Sequence, residues 1–366
     1  VRVAVVSDCY LPRLGGIEVQ VADLARHLAD AGDHVVVLTA TPGPEQPGVE
    51  RLLPPVPLPV PINPWAGPDL RRLLAGADVV HVHLGVVAPF AAHAARTALR
   101  LGRPTVVTWH SMLGPATTAL RYAAPWRRWV AAGAVPTAVS RAAARQVGLA
   151  LGDRHEVAVL PNGIEAAEWV PPGPPPADGP LRVVTAIRFA RRKRPLAVVS
   201  TARRLRERLP GLDVQVEVAG DGPLLPPVRR LVEKEGLGDW LHLPGRLSRA
   251  ELARRYHRSH LYLSPARLES FGIAALEART AGLPVAGLTG SGLTEFVTHG
   301  VSGVLADDDD KLLDQVAGLL ADRDRLDRMA EHNRTHLPEQ VWPAVVRRTR
   351  ELYERARTGH ATAARD

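Results

Sequence analysis

The strongest constraint in this sequence is an alternation of strand and helix patterns that runs through the first half, breaks, and starts again. In the first half, short apolar runs fall at Arg2–Ser7, His34–Thr39, Val79–Val82, Thr105–Thr108, Pro136–Val139 and Glu156–Leu160, with helical patterns between most of them. Strands separated by helices pair in parallel through crossovers rather than as hairpins. The first helix is the clearest: Ile17, Val21, Leu24, Ala25 and Leu28 recur at spacings that make one apolar stripe, and Gly32 is expected to close it. The proline-rich run from Pro171 to Pro180 sustains neither helix nor ladder and reads as an extended linker. Alternation then resumes at Leu181–Ile187, Val214–Ala219, Leu241–Leu243, Leu261–Leu263 and Pro284–Ala286, and turns helical beyond Asp307.

The predicted fold is therefore α/β, with two Rossmann-like domains facing a cleft. Residues 1–170 form a first domain, 171–180 a linker and 181–340 a second domain, while a helical tail over 341–366 is expected to pack back on the first domain. A chain of 366 residues exceeds what one core usually supports, which agrees with two domains.

Composition narrows the function. The single cysteine, Cys9, excludes an internal disulfide framework and a multi-cysteine zinc site, and fits a reducing compartment, so the cytoplasm is expected. A net charge of +8 calls for an anionic partner: nucleotide phosphates, nucleic acid or an acidic membrane. Only 4% of residues are aromatic and no nucleic-acid-binding motif occurs, so nucleic acid is not expected. No apolar run reaches the roughly 18 residues that suggest a membrane span. The opening run Val1–Ser7 reads as a strand, not a signal peptide, and its start on valine implies that a few residues precede it. The stretch Arg121, Tyr122, Ala123, Ala124, Pro125, Trp126, Arg127, Arg128, Trp129 mixes arginine with aromatics and makes an anionic membrane surface a candidate partner; a solvated helix with two packed tryptophans is the competing reading.

Glu269 and Glu277 are the most informative pair. If the segment between them is helical throughout, eight steps advance about 12 Å and return near the same face. That separation suits a nucleotide sugar: one carboxylate accepts hexose hydroxyls and the other those of the ribose. The amides of Ser270, Phe271, Gly272 and Ile273 would meet the diphosphate at the helix N-terminus. It is too long for a glycoside hydrolase, whose two carboxylates stand about 5–9.5 Å apart. Arg188 and Lys193 follow the first strand of the second domain in a basic run with Arg191, Arg192 and Arg194. Fixed cations there would stabilise the charge that develops on a departing diphosphate. Gly15 and Gly16 follow the first strand without the spacing of a dinucleotide fingerprint, which disfavours an NAD site. His110 follows the strand at Thr105–Thr108 at its carboxyl end, where open α/β sheets place ligand groups. His81 and His83 share a strand face but lack a third ligand, so no metal pair is expected. Asp307–Asp310 precedes a helical pattern and reads as a cap rather than a metal motif.

From Ser264 and Pro265 through Glu269 and Glu277 to Gly292, Glu295, Gly300 and Gly303, the sequence resembles the donor site of glycosyltransferase family 4, retaining enzymes of the GT-B fold. The resemblance implies that Glu269 contacts the transferred sugar, that Glu277 binds ribose, and that Arg188 and Lys193 neutralise the diphosphate in place of a metal. It also implies that Gly15, Gly16 and His110 serve the site from the opposite domain, His110 at the donor sugar near the reacting centre. Gly220, within Gly220–Asp221–Gly222–Pro223, and the run Pro161–Asn162–Gly163–Ile164 match family landmarks. Ser291, where a glycine pair is usual, and Glu165, in place of an aspartate, depart from the pattern.

The implied reaction is front-face transfer, with retention, of a hexose from a UDP- or GDP-type donor to a hydroxyl of a lipid, glycan or small molecule. No cofactor is expected, and domain closure would exclude water. A nucleotide-sugar epimerase and a catalytically silent nucleotide-sugar binding protein are the alternatives, and location on the inner face of the membrane is a further expectation.

Overall fold

The computed structural model describes residues 1–56, 62–114, 117, 125–152, 155–173 and 179–363, with side chains to 359. These form two compact units. The first comprises Val1–Gly163 together with the chain from Gln340 onward, and the second Ile164–Glu339.

The first unit holds a parallel sheet of β1 (Arg2–Ser7), β2 (His34–Thr39), β3 (Val49–Arg51), β4 (Val79–Leu84), β5 (Thr105–Trp109), β6 (Val135–Ala138) and β7 (Ala158–Val159), in the order β3-β2-β1-β4-β5-β6-β7. Helices α1 (Gly16–Asp30), α2 (Gly67–Ala75), α3 (Pro89–Arg100), α4 (Trp126–Ala131) and α5 (Arg141–Leu151) lie among the strands in sequence, and α12 (Trp342–Ala363) returns from the chain's end. β4 is buried along its whole length, as a central parallel strand must be. Trp342, Val345, Val346, Leu352, Tyr353 and Ala356 of α12 join Val3, Val5, Val21, Leu28 and Val106 in one core. Burying such side chains stabilises by roughly 1.5–3 kcal/mol each. Gln20 of α1 accepts from the Gly163 amide and donates to its carbonyl, both at 2.9 Å. The Trp342 ring lies against Gly163 so closely that a Cβ there would strike it. The run at residues 161–163 therefore serves as a packing corner in this unit.

The second unit repeats the plan with six parallel strands: β8 (Leu181–Ala186), β9 (Val214–Ala219), β10 (Leu241–Gly245), β11 (Leu261–Leu263), β12 (Val285–Leu288) and β13 (Gly303–Ala306), ordered β10-β9-β8-β11-β12-β13. Its helices are α6 (Pro195–Arg208), α7 (Leu225–Lys234), α8 (Arg249–Tyr256), α9 (Ile273–Thr280), α10 (Asp309–Ala321) and α11 (Arg323–Thr335). In each sheet the chain's direction of progression reverses once, between β1 and β4 and between β8 and β11. The carboxyl ends of strands at such a reversal are where open α/β sheets bind ligands.

Several expectations shift. β3 and β13, which the sequence pattern does not mark, are the outer strands that close one edge of each sheet. The strand expected over Glu156–Leu160 contracts to two residues. Of the linker, residues 174–178 lie outside the described residues, as do Arg121–Ala124 of the basic aromatic stretch. The rest of that stretch follows the packed-tryptophan reading. Trp126 and Trp129 of α4 are buried, Trp126 edge-on to Trp109 with ring centroids 5.3 Å apart, so they offer no aromatic anchor to a membrane. Among the described residues, no helix is long and apolar enough to cross a membrane.

Candidate functional site

In the second unit the candidate groups flank the sheet's reversal point. Arg188 and Lys193 follow β8, and Glu269 follows its neighbour β11. Arg188 is exposed on a segment laced to the next loop by backbone bonds: Ile187 N–H to Ala219 O, Phe189 N–H to Asp221 O and Leu224 N–H to Phe189 O, at 2.8–3.0 Å. That lacing requires Gly220 and Gly222. Both have positive φ, 131° and 148°, and a Cβ on either would strike the backbone of Ile187 or Phe189. Gly220 thus acts here by letting two backbone segments approach.

Lys193 ends a 3-10 turn, Arg191–Lys193, and its Nζ donates to Glu269 Oε2 at 2.5 Å. A mostly buried carboxylate and a partly exposed ammonium are thereby paired, with side-chain exposures of 14% and 33%. The bond engages Oε2 alone, so the carboxylate keeps further acceptor capacity beside the ammonium.

The helical reading of the segment between the glutamates is corrected. Helix α9 begins at Ile273, so Glu269, Ser270 and Phe271 belong to the loop before it, and Gly272 caps the helix in the left-handed region with φ 93°. Phe271 is buried against Phe296, with centroids 5.5 Å apart, which turns its side chain into the core. This loop is held from the other side: Gly292 N–H donates to Glu269 O at 2.8 Å. Ser291, the departure from the glycine pair, is buried and donates its hydroxyl to Leu288 O at 2.6 Å. It caps the 3-10 turn Gly292–Glu295, so the loop keeps a defined path without the first glycine.

Glu277 sits in the middle of α9. Burial pushes its carboxyl up to about 8, against a smaller downward pull from Arg249 and an upward push from Glu168. Near neutral pH it is therefore largely protonated, able to donate a hydrogen bond as well as accept one.

The first unit assembles a different chemistry. At the reversal between β1 and β4, Asp8 is buried and accepts from the Phe90 and Ala91 amides at 2.9 Å each, in the first turn of α3. Burial nevertheless pushes its carboxyl up to about 6. His110 follows β5, and its Nε2 shares a 2.8 Å hydrogen bond with Nδ1 of His83. His81 engages Tyr353 through Nδ1 at 2.9 Å and Thr108 through Nε2 at 2.7 Å. Burial lowers His110 to about 4, His81 to about 3 and His83 well below its usual value, so all three imidazoles are neutral at pH 7. A neutral His110 can polarise a hydroxyl but carries no positive charge. Gly15 caps α1 in an extended conformation, and Gly16 opens the helix. The buried Glu18 carboxylate lies against Gly15 and pairs with Arg13 at 3.1 Å, so this helix start already has an anion beside it. Glu18 pairs locally with Arg13, whereas Asp8 and the His83–His110 bond escape a reading of the sequence because each depends on a contact across the fold. The alternation of His81 and His83 on one strand is the only local sign of the last.

Asp308 caps α10 by accepting from Lys311 N–H at 2.8 Å, as its position predicts. Asp309, next to it, takes part in a further ion pair with Arg194, both oxygens engaged at 2.6–2.8 Å.

Two family models divide the chain much as the two units do: Glycosyltransferase Family 4 matches residues 14–168 and Glycosyl transferases group 1 matches 172–336. A GDP-mannose-dependent alpha-(1-6)-phosphatidylinositol monomannoside mannosyltransferase of Mycobacterium tuberculosis is 28% identical over 93% of this chain and 94% of its own. A D-inositol 3-phosphate glycosyltransferase of Xylanimonas cellulosilytica is 28% identical over 93% and 92%. In fold, the chain is similar to the Anabaena protein HepE in complex with UDP and glucose, with a TM-score of 0.74 at 16% identity over 96% of this chain and 99% of that one. It is likewise similar to a sucrose-phosphate synthase of Thermosynechococcus elongatus, with a TM-score of 0.70 at 18% identity over 96% and 98%.

Proposed function

This chain belongs to the GT4-type glycosyltransferases of the GT-B fold and uses a nucleotide sugar, and from that premise we propose that it transfers a hexose with retention and without a metal. The observation that carries the proposal is the contact between Lys193 and Glu269 beside the reversal point of the second sheet. Lys193 and Arg188 take the β-phosphate side of a UDP or GDP leaving group, Glu269 orients the hexose, and Glu277 holds the ribose. Charge on the leaving diphosphate grows as the anomeric bond breaks, and cations already fixed in place stabilise it without reorganisation. The departing phosphate assists removal of the acceptor's proton on the same face, which gives retention. The amides of Ser270–Ile273 approach the diphosphate, and Gly15, Gly16 and neutral His110 serve the sugar and acceptor chemistry of the first unit.

The acceptor is a hydroxyl of a lipid, a glycan or a small molecule. The names of the mannosyltransferase and inositol phosphate relatives favour an inositol-bearing acceptor and a GDP-mannose donor, whereas the UDP complex of HepE favours UDP. Peripheral attachment to an anionic membrane fits a lipid acceptor and would rest on exposed basic residues, since Trp126 and Trp129 are buried.

The test is incubation with UDP-glucose or GDP-mannose in excess chelator, with inositol phosphate and phosphatidylinositol as acceptors, and proton NMR of the product's anomeric centre. Transfer with the donor's configuration kept supports the proposal; an inverted product or strict dependence on a divalent cation contradicts it. Conversion of the donor alone to an isomeric nucleotide sugar would favour the epimerase reading.

A further inference from the structure

Arg194 is the one described non-glycine residue with positive φ, at φ 53° and ψ 51°. In this region a Cβ crowds the following carbonyl, so glycine is the usual occupant, and the proline that follows narrows the choice further. Such a conformation persists only where the surroundings hold it. Here the side chain does the holding. One guanidinium nitrogen donates to Pro265 O at 2.9 Å and to Asp309 Oδ1 at 2.8 Å, and the other donates to Asp309 Oδ2 at 2.6 Å. Arg267 donates to the same carboxylate at 2.7 Å. Through one residue, three segments are tied together: the turn that ends in Lys193, the β11–α9 loop that carries Glu269, and the first turn of α10.

We propose that Arg194 is a positioning residue that aims the ammonium of Lys193 at the diphosphate of the donor, by locking the Lys193 turn to the Glu269 loop and to Asp309. The inference rests on the reading of Lys193 as a diphosphate cation. A glycine at 194 would meet the backbone requirement at less cost, so the backbone alone does not account for an arginine. Its planar fork matches the carboxylate with two parallel bonds, a geometry that lysine cannot reproduce. Arg194, with a smaller contribution from Arg267, holds the Asp309 carboxyl down to about 2, so the tie remains ionised across the working pH range.

The experiment is a double-mutant cycle read by titration calorimetry of UDP and of GDP on the full chain. Arg194→Gly keeps the left-handed turn accessible while removing the tie. It is expected to weaken the nucleotide that binds about five- to tenfold, and Asp309→Asn to do so by less. In the Lys193→Ala background, Arg194→Gly should have no further effect, because it acts through Lys193. Unchanged affinity in Arg194→Gly, or the same loss with and without Lys193, would overturn the positioning role while leaving the donor reading intact. Lys193→Ala binding as tightly as the parent, or no binding of either nucleotide, would overturn the donor reading and this inference with it.

Discussion

The two units share a topology but differ in what they place at the carboxyl ends of their central strands. The first gathers imidazoles that are neutral at pH 7, the buried His81 and His83 and the partly buried His110, with His83 hydrogen-bonded to His110 and packed against His81, while the Asp8 carboxyl caps a helix. The second gathers charge: Lys193 against Glu269, Arg188 exposed beside them, and Arg194 locked to Asp309. The same sheet therefore supports two chemistries through its loops alone. Neutral imidazoles suit hydroxyl groups, which ask for hydrogen bonds. A charged edge suits a leaving group whose negative charge rises during the reaction.

The contrast can be broken most forcefully at the charged edge. Lys193→Ala and Glu269→Ala are each expected to lower kcat/KM for the donor by about 10²–10³-fold, the scale on which one preorganised electrostatic contact acts in an active site. Steady-state nucleotide release measures this. A smaller loss is expected from the neutral edge: His83→Phe removes the hydrogen bond that orients His110 and should cost roughly tenfold in kcat, as a modest misplacement does. NMR of the ring nitrogens should report a changed His110 tautomer in that variant, and an unchanged spectrum would count against the orienting role.

The smallest effects are those of pH, and they run in opposite directions in the two units. The folded-state pKa values of His81 and His110 are depressed, so their contribution is present above about 6.5 and is lost as pH falls toward 4. Asp8 opposes this below pH 6, against His81, His83, His110 and also His93, which burial lowers too. Glu277 has a raised folded-state value, so its contribution is fully present below about 4.5 and is lost as pH rises from there through about 8. Hydrogen exchange, corrected for intrinsic rates, should loosen the first unit on going from pH 7 to 5 and the second on going from 7 to 9. Glu277→Gln, which stays neutral, should melt above the parent at pH 9, by about 2–4 °C for each kcal/mol that ionisation removes, and match it at pH 4.

How much of this is legible in sequence follows from the range of the contacts involved. The alternation of strands and helices, and the stripe Ile17, Val21, Leu24, Ala25, Leu28, are local periodicities, and the structure contains both sheets and α1. The spacing of Arg188, Lys193, Glu269 and Glu277 is visible because each follows or lies next to a buried strand. Where α9 begins is not visible. Glu269 to Ile273 has no helix breaker other than Gly272, and only the buried Phe271 and the closeness of Gly292 make the chain turn there rather than earlier. Nor does the basic run reveal which arginine is structural. Arg194 is distinguished from Arg191 and Arg192 by a partner 115 residues away. Trp126 and Trp129 mislead in the same manner, since a residue suited to a membrane interface is equally suited to a core, and Trp109 decides between them.

The proposed role of the second unit's charged edge is to hold a nucleotide sugar and stabilise its leaving group without a metal. The most direct measurement is nucleotide release from GDP-mannose and UDP-glucose in excess chelator, by the parent and by Lys193→Ala. Turnover of one donor should survive chelation and fall by about 10²-fold or more in the variant. Turnover abolished by the chelator, or undiminished without Lys193, would contradict it.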